Sequence, residues 1–173
     1  SYSISREKRL NLNSLNYIFI RQDPPYNMEY ISSMHLLEQL KPNTKVINSP
    51  AGIRNAPEKI LMLKFKDIIP PTLITRSRHE IGLFMNNYKK SVIKPLYGNG
   101  GQGIFLLDKK DKNYNQIIEK FIDEENVPFI IQKFLPEIKK GDKRIILING
   151  EPVATLKRIP KKNEFRSNIH VGG

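Results

Sequence analysis

The chain has 173 residues, 39% of them hydrophobic, enough for one ordinary core or for parts of two small domains. It contains no cysteine, which excludes disulfides, thiolate metal sites and cysteine nucleophiles from this segment. No apolar run reaches the length that spans a membrane, and the amino-terminal stretch lacks the apolar region of a signal peptide. We therefore expect a cytoplasmic protein that does not engage a membrane.

The formal net charge of +12 is typical of proteins that bind phosphate polymers or small anions. The basic residues are spread along the chain, and tyrosines and phenylalanines are not interleaved with them as in a single-strand binding surface. A basic nucleic-acid-binding domain is thus the weaker alternative, and anionic small substrates explain the charge equally well.

The first third of the chain predicts a small α/β unit. Asn16–Ile20 is an apolar strand, a helix capped by Asn27 runs to about Leu40, Lys45–Ile47 is a second strand, and the next helix begins at Pro57 after a turn. This strand-helix-strand-helix order suggests part of a doubly wound domain.

The segment Arg21-Gln-Asp-Pro-Pro-Tyr26 follows the first strand directly. Its two prolines force a fixed turn, so Arg21 and Asp23 lie at the carboxyl end of a strand, where ligands collect in open α/β sheets. A simple loop with a surface arginine is the alternative.

The central stretch is Lys94-Pro-Leu-Tyr-Gly-Asn-Gly-Gly-Gln-Gly103, which lies between two short apolar runs that predict strands. Glycine leaves room for backbone N–H groups to converge on an anion, and the lysine adds charge. Because no helix follows, the stretch is neither a P-loop nor a dinucleotide fingerprint. It predicts either a flexible cover over nucleotide phosphates or an ordinary glycine-rich hairpin.

The elements around this stretch predict a mixed α and β domain. Leu73–Thr75 is a strand, Ser77 and Glu80 form a capping box for a helix, Tyr114–Glu124 is an amphipathic helix, and Pro128–Ile131 is a strand. The exit of that strand comprises Gln132, Lys133, Phe134 and Leu135. Such an extended segment could supply an apolar slot and backbone groups for an adenine ring, or it could be a connecting loop.

Asn149-Gly150 between two apolar runs predicts a β-hairpin. Asp142 and Arg144 lie at the start of its first strand, and Arg158 lies at the end of its second, so simple register brings them together. Two arginines there could hold a carboxylate or a transferring phosphate by bidentate contacts, or they could be a solvated hairpin end. The polar stretch from Pro160 to Gly173 predicts a mobile loop or lid.

These segments together resemble the bacterial glutathione synthetases within the ATP-grasp ligase superfamily. The resemblance rests on Arg21–Tyr26, Lys94–Phe105, Gly141–Ile145, Asn149–Val153, and Arg158–Pro160 with Arg166-Ser-Asn168, which occur in family order along nearly the whole chain. It implies an ATP-grasp domain at residues 57–173, with its first subdomain at 57–127 and its second starting at 128. Residues 1–56 would then belong to a partial amino-terminal substrate domain.

The resemblance also implies an ADP-forming ligase that joins γ-glutamylcysteine to glycine through an acyl phosphate. Lys59 and Lys94 would hold the ATP phosphates, Gly98, Gly100, Gly101 and Gly103 would cover them, Gln132 to Leu135 would meet adenine, and Asp142 would lie near the ribose. Arg144 and Arg158 would be catalytic, and Arg21, Arg166 and Asn168 would face the substrates.

Such ligases bind Mg²⁺ through a late acidic cluster, and no such cluster follows Arg158. We therefore expect the chain to be an inactive fragment, with the Mg²⁺ ligands beyond Gly173, and we expect the parent to be a homo-oligomer. Another ATP-grasp ligase, of the dipeptide or D-alanine type, is the nearer alternative, because nucleotide motifs are widely shared. The Arg-x-Asp-Pro-Pro segment favours glutathione synthetase.

Overall fold

The computed structural model describes residue 6, residues 8–161 and residue 166. The chain divides into two compact units, residues 1–58 and residues 59–173. The division predicted from the sequence lies between residues 56 and 57. Among the described residues, no helix combines the length and the apolar character needed to cross a lipid bilayer.

The first unit contains two parallel strands, β1 (Tyr17–Phe19) and β2 (Lys45–Ile47), connected through helix α1 (Met28–Leu37). A short 3-10 helix, Leu12–Ser14, precedes β1. The Asn27 side chain accepts a hydrogen bond from the Tyr30 backbone N–H and caps α1, as predicted. The helix ends at Leu37 instead of Leu40, because the backbone N–H groups of Gln39 and Leu40 bond to carbonyls three residues earlier, as in a 3-10 helix.

Helix α2 (Pro50–Asn55) occupies a stretch where the sequence predicts only a turn. Ser49 accepts from the Gly52 N–H and Pro50 takes the first helical position, so the turn residues act as a helix start. The helix predicted to begin at Pro57 is a single turn, α3 (Glu58–Leu61), which continues as a 3-10 segment, Met62–Ile68.

The second unit is built on a four-stranded antiparallel sheet in the order β3-β6-β4-β5. Its strands are β3 (Thr72–Thr75), β4 (Lys90–Lys94), β5 (Phe105–Asp108) and β6 (Phe129–Lys133). Strand β6, which the sequence reading places at the start of the second subdomain, pairs with both β3 and β4 inside this sheet. Phe129, Ile130 and Ile131 are fully buried, which explains why the strand takes an interior position.

Helices α4 (Arg78–Asn87) and α5 (Tyr114–Glu124) contribute to the main core together with one face of the sheet. Strand alternation places Ile93, Leu107 and Ile131 on that face. The helices add Ile81, Met85, Ile118 and Phe121 to the same cluster. The opposite face carries Thr72, Val92 and Gln132 in one cross-strand row, since these residues are paired directly. Thr72 and Gln132, the polar residues of this row, therefore lie on the face away from this core.

Gly82 in α4 offers a stability test of this packing. A Cβ atom added there would meet nothing within 4 Å. Because glycine in a helix costs more backbone entropy than alanine, Gly82→Ala is expected to stabilise the protein by about 0.5–1 kcal/mol. Urea unfolding measures this change, and a lowered unfolding midpoint would mean that α4 packs more tightly at this position than the structure shows.

The predicted hairpin comprises β7 (Asp142–Ile148) and β8 (Glu151–Arg158). Asn149 and Gly150 have φ angles of 52° and 86°, as a type I′ turn requires. The register pairs Asp142 with Arg158, whereas unbroken pairing outward from Ile148 and Glu151 would place Lys157 opposite Asp142. It shifts once, between Ile146 and Leu147, so that Val153 of β8 forms a bulge without a direct partner in the register.

Candidate functional site

The glycine stretch joins β4 to β5, the strand-to-strand connection predicted from the sequence. Gly100, Gly101 and Gly103 have φ angles of 61°, 82° and 65°, a conformation that residues with a side chain rarely adopt. The Pro95 ring lies close beneath the loop, because a Cβ atom on Gly103 would come within 2.9 Å of it. The loop therefore needs glycine both for its backbone angles and for its close approach to Pro95.

Two basic side chains bind the carbonyl groups of this loop. Lys59 Nζ donates to the carbonyl oxygens of Pro95 and Gly98, each at 2.6 Å. Arg166 Nη1 donates to the Gly101 carbonyl at 3.1 Å. Two residues predicted to face phosphate and substrate thus hold the glycine loop from two points in this conformation.

Lys94 ends β4 immediately before the loop, and its Nζ donates to Gln132 Oε1 at 3.1 Å. Gln132 Nε2 in turn donates to Thr72 Oγ1 at 2.8 Å, and Thr72 Oγ1 donates to the Pro70 carbonyl at 2.7 Å. The first two of these bonds link β4, β6 and β3 on the face of the sheet away from the core, and the third ties Thr72 to the residues that precede β3.

A cleft of about 280 Å³ opens on this face and gathers seven of the residues predicted to form the site. They come from the end of β4, from the exit of β6, from the start of β7 and from the described residue near the carboxyl terminus: Lys94, Gln132, Lys133, Phe134, Leu135, Asp142 and Arg166. Residues up to 72 positions apart in sequence therefore meet at one place.

The cleft is also lined by four residues that the sequence did not single out: Pro70, Val92, Ile104 and Ile138. They supply apolar walls, which a flat ring needs. Val92 could have been found from strand alternation, since it lies two residues before Lys94 and shares its face. Ile138 lies in a 3-10 helix after β6, and no local signal places it at the cleft.

The exit of β6 is held by backbone bonds on both sides. The Lys133 N–H donates to the Pro71 carbonyl at 2.9 Å, and the Phe134 N–H donates to the Lys90 carbonyl at 3.1 Å. Two of the backbone donors in this segment are therefore already engaged. The Leu135 N–H is the segment's candidate donor for a ligand.

Asp142 and Arg158 form a bidentate ion pair at the open end of the hairpin. Arg158 Nε and Nη2 donate to the two carboxylate oxygens of Asp142, both at 2.7 Å. The carboxylate bond raises the pKa of Arg158 above its ordinary value. In this conformation, the edge of the guanidinium that carries Nε and Nη2 is therefore occupied by a carboxylate of the protein itself.

Arg144 lies on the same face of the hairpin as Asp142, two residues further along β7, and is exposed. It is not among the described residues that line the cleft.

Arg21 is exposed in the first unit, after β1. The same segment is anchored within that unit by Tyr26, whose hydroxyl donates to the Arg54 carbonyl at 2.5 Å. Asn168 and most of the predicted lid lie outside the described residues.

The described residues hold no group of three or more His, Cys, Asp and Glu side chains that could bind a metal ion. Among the described residues that line the cleft, Asp142 is the acidic one, and both of its oxygens bind Arg158.

Comparison with solved structures defines the class of fold. The chain superimposes on D-cycloserine synthetase with a TM-score of 0.70, at 10% identity over 88% of this chain and 55% of the other. It superimposes on an ATP-grasp RimK domain protein from Sphaerobacter thermophilus with a TM-score of 0.56, at 18% identity over 76% and 51%. At these identities the likeness concerns the fold alone, which is the ATP-grasp fold.

Comparison of sequences goes further. The profile of the prokaryotic glutathione synthetase ATP-grasp domain matches residues 58–173, and the profile of the amino-terminal domain of the same family matches residues 1–54. The chain belongs to the prokaryotic glutathione synthetase family. A relative named glutathione synthetase, from Agrobacterium fabrum, is 46% identical over 99% of this chain and 54% of its own length. The chain thus spans about half the length of the curated relatives that it matches.

Proposed function

We propose that the protein is an ATP-dependent ligase that joins γ-glutamylcysteine to glycine and releases glutathione, ADP and phosphate. The observation that carries the proposal is the convergence of predicted site residues on one cleft, in a chain of the glutathione synthetase family. The 46% identity to a glutathione synthetase supports the choice of substrates over those of other ATP-grasp ligases.

The nucleotide is proposed to bind in the cleft on the sheet. Lys94 lies at the point where β4 meets the glycine loop, so its ammonium group can bind phosphate oxygens beneath the loop. The apolar walls around Val92, Ile104 and Phe134 suit an adenine ring, with the Leu135 N–H as a donor to its edge. Asp142 lies in the same cleft, and we propose that it approaches the ribose.

The reaction we propose has two steps. A carboxylate oxygen of γ-glutamylcysteine attacks the γ-phosphorus of ATP and ADP leaves, which gives an acyl phosphate. The amine of glycine then attacks the acyl carbon, loses a proton, and inorganic phosphate leaves. Both steps depend mainly on positioning and on stabilisation of negative charge. Arg144, Arg158, Arg166 and Asn168 are the proposed groups for this, with Arg21 on the dipeptide.

The glycine loop is proposed to cover the phosphates during these steps, because an acyl phosphate exposed to water hydrolyses. Lys59 is proposed to bind phosphate when nucleotide is present. Its two bonds to loop carbonyls place its ammonium group at the loop, where this exchange of partners would occur. Mg²⁺ would neutralise phosphate charge in such a reaction, and we propose that its ligands follow Gly173.

An assay of ADP release by the full-length protein tests the proposal. Release should require γ-glutamylcysteine and glycine together, with glutathione formed in equal amount. Omission of either substrate, or replacement of both by D-alanine, should reduce the rate to background. Turnover with D-alanine would support a D-alanine type ligase instead, and tight DNA binding without turnover would support a nucleic-acid-binding domain.

A further inference from the structure

Three hydrogen bonds run from Lys94 through Gln132 and Thr72 to Pro70, and in each of them the residue nearer to Lys94 is the donor. Lys94 Nζ donates to Gln132 Oε1, Gln132 Nε2 donates to Thr72 Oγ1, and Thr72 Oγ1 donates to the Pro70 carbonyl. Each bond is between 2.7 and 3.1 Å, the range of ordinary hydrogen bonds. The three side chains lie on neighbouring strands, with Gln132 paired to Thr72 in register.

The Thr72 hydroxyl and the Lys94 ammonium group together fix which way the Gln132 amide faces. A hydroxyl has one hydrogen, and that of Thr72 is directed at the Pro70 carbonyl. Towards Gln132 it therefore offers only lone pairs, so the amide must present its NH₂ group to Thr72. The opposite end of the amide, its carbonyl oxygen, then faces Lys94, whose ammonium group can only donate.

Without this hydroxyl the amide would lose one of the two partners that hold it, so the Gln132 side chain would be free to turn away from Lys94. The ammonium group would then lose the acceptor that holds it at the base of the glycine loop. A positioning effect of this kind needs no contact between Thr72 and a nucleotide, and Thr72 is not among the described residues that line the cleft.

We propose that Thr72 is a positioning residue for nucleotide binding, which acts through Gln132 to hold Lys94 at the base of the glycine loop. This inference rests on the proposed function, because it takes Lys94 as a phosphate ligand. It assigns a role to a residue on β3 that is not among the described residues lining the cleft.

The test measures ATP affinity by calorimetry in the full-length protein. Thr72→Val keeps the shape of the side chain and removes the hydroxyl, so we expect affinity to fall by about threefold to tenfold, the value of one lost neutral hydrogen bond. Thr72→Ser keeps the hydroxyl and should retain affinity within about twofold. Thr155→Val, at an exposed threonine of β8, is the matched control and should leave affinity unchanged.

A double-mutant cycle with Lys94→Met separates positioning from general damage. If Thr72 acts through Lys94, Thr72→Val should cause no further loss once Lys94 is gone. An equal loss in both backgrounds would show that Thr72 acts elsewhere and would overturn the inference, as would normal affinity in Thr72→Val. If the unaltered protein binds no ATP, the proposed function fails and the inference fails with it. Binding that is insensitive to Thr72 overturns the positioning role alone.

Discussion

Replacement of Lys94 by methionine is expected to weaken ATP binding by about tenfold to a hundredfold, because a hydrogen bond to a charged group contributes roughly 1.5–3 kcal/mol. Methionine keeps the length of the side chain and removes its charge. Lys94 ends β4 at the glycine loop and lines the cleft, so the loss should appear in the dissociation constant for ATP. Calorimetric titration of the full-length protein measures it.

Lys90→Met is the matched control for this substitution. Lys90 begins the same strand and lies on the same face, but at the end away from the glycine loop, where its Nζ binds Asp108 at 3.1 Å. Because the side chain is more than half exposed, its ion pair contributes little to stability, and ATP affinity should be unchanged. Equal losses in the two variants would indicate a general effect of positive charge. Unchanged affinity in Lys94→Met would refute the phosphate role.

Replacement of Gly141 by alanine is expected to destabilise the charged end of the hairpin severely. Gly141 has φ 96° and ψ 174°, a region open almost only to glycine, which alone costs another residue about 1–3 kcal/mol. A Cβ atom there would also overlap the carbonyl oxygen of Arg158, so β7 and β8 must move apart. We expect a lower melting temperature and a loss of ADP release, since Asp142 and Arg158 sit at this point.

Gly150→Ala isolates the first of these two effects, the backbone strain. Gly150 also has a positive φ, of 86°, but a Cβ atom there would meet nothing within 4 Å. It should therefore cost only the backbone strain, about 1–2 kcal/mol, and leave ADP release intact at temperatures where the protein is folded. If the two alanine variants melt alike, the overlap with Arg158 is relieved without cost, and the expectation for Gly141 is wrong.

The features that the sequence predicts well are those encoded by neighbouring residues. Asn149-Gly150 specifies its own turn and the pairing of Ile148 with Glu151 beside it. The pairing of Asp142 with Arg158 depends in addition on the bulge at Val153. Asn27 and Ser77 cap their helices as predicted, because a cap depends on a bond to a residue three positions ahead. The connection of β4 to β5 follows for the same reason, since two apolar runs flank the glycine stretch.

The features that it predicts poorly depend on partners distant in sequence. The position of β6 between β3 and β4 is set by burial on both faces, and a short apolar run does not say which strands will flank it. Lys59 binds loop carbonyls 36 and 39 residues away. Thr72 meets Gln132 across 60 residues. Such pairs exist only once the sheet is assembled, so residue type and spacing do not reveal them.

The bulge at Val153 divides the hairpin into two parts that tolerate changes of length differently. Between Val153 and the turn, one residue more or fewer changes the connection and leaves the pairing of Asp142 with Arg158 in place. Between Ala154 and Lys157, a single insertion or deletion would turn Arg158 to the opposite face of the ribbon and separate it from Asp142. Length differences among relatives in this hairpin should therefore fall at residues 149–153 and spare residues 154–158.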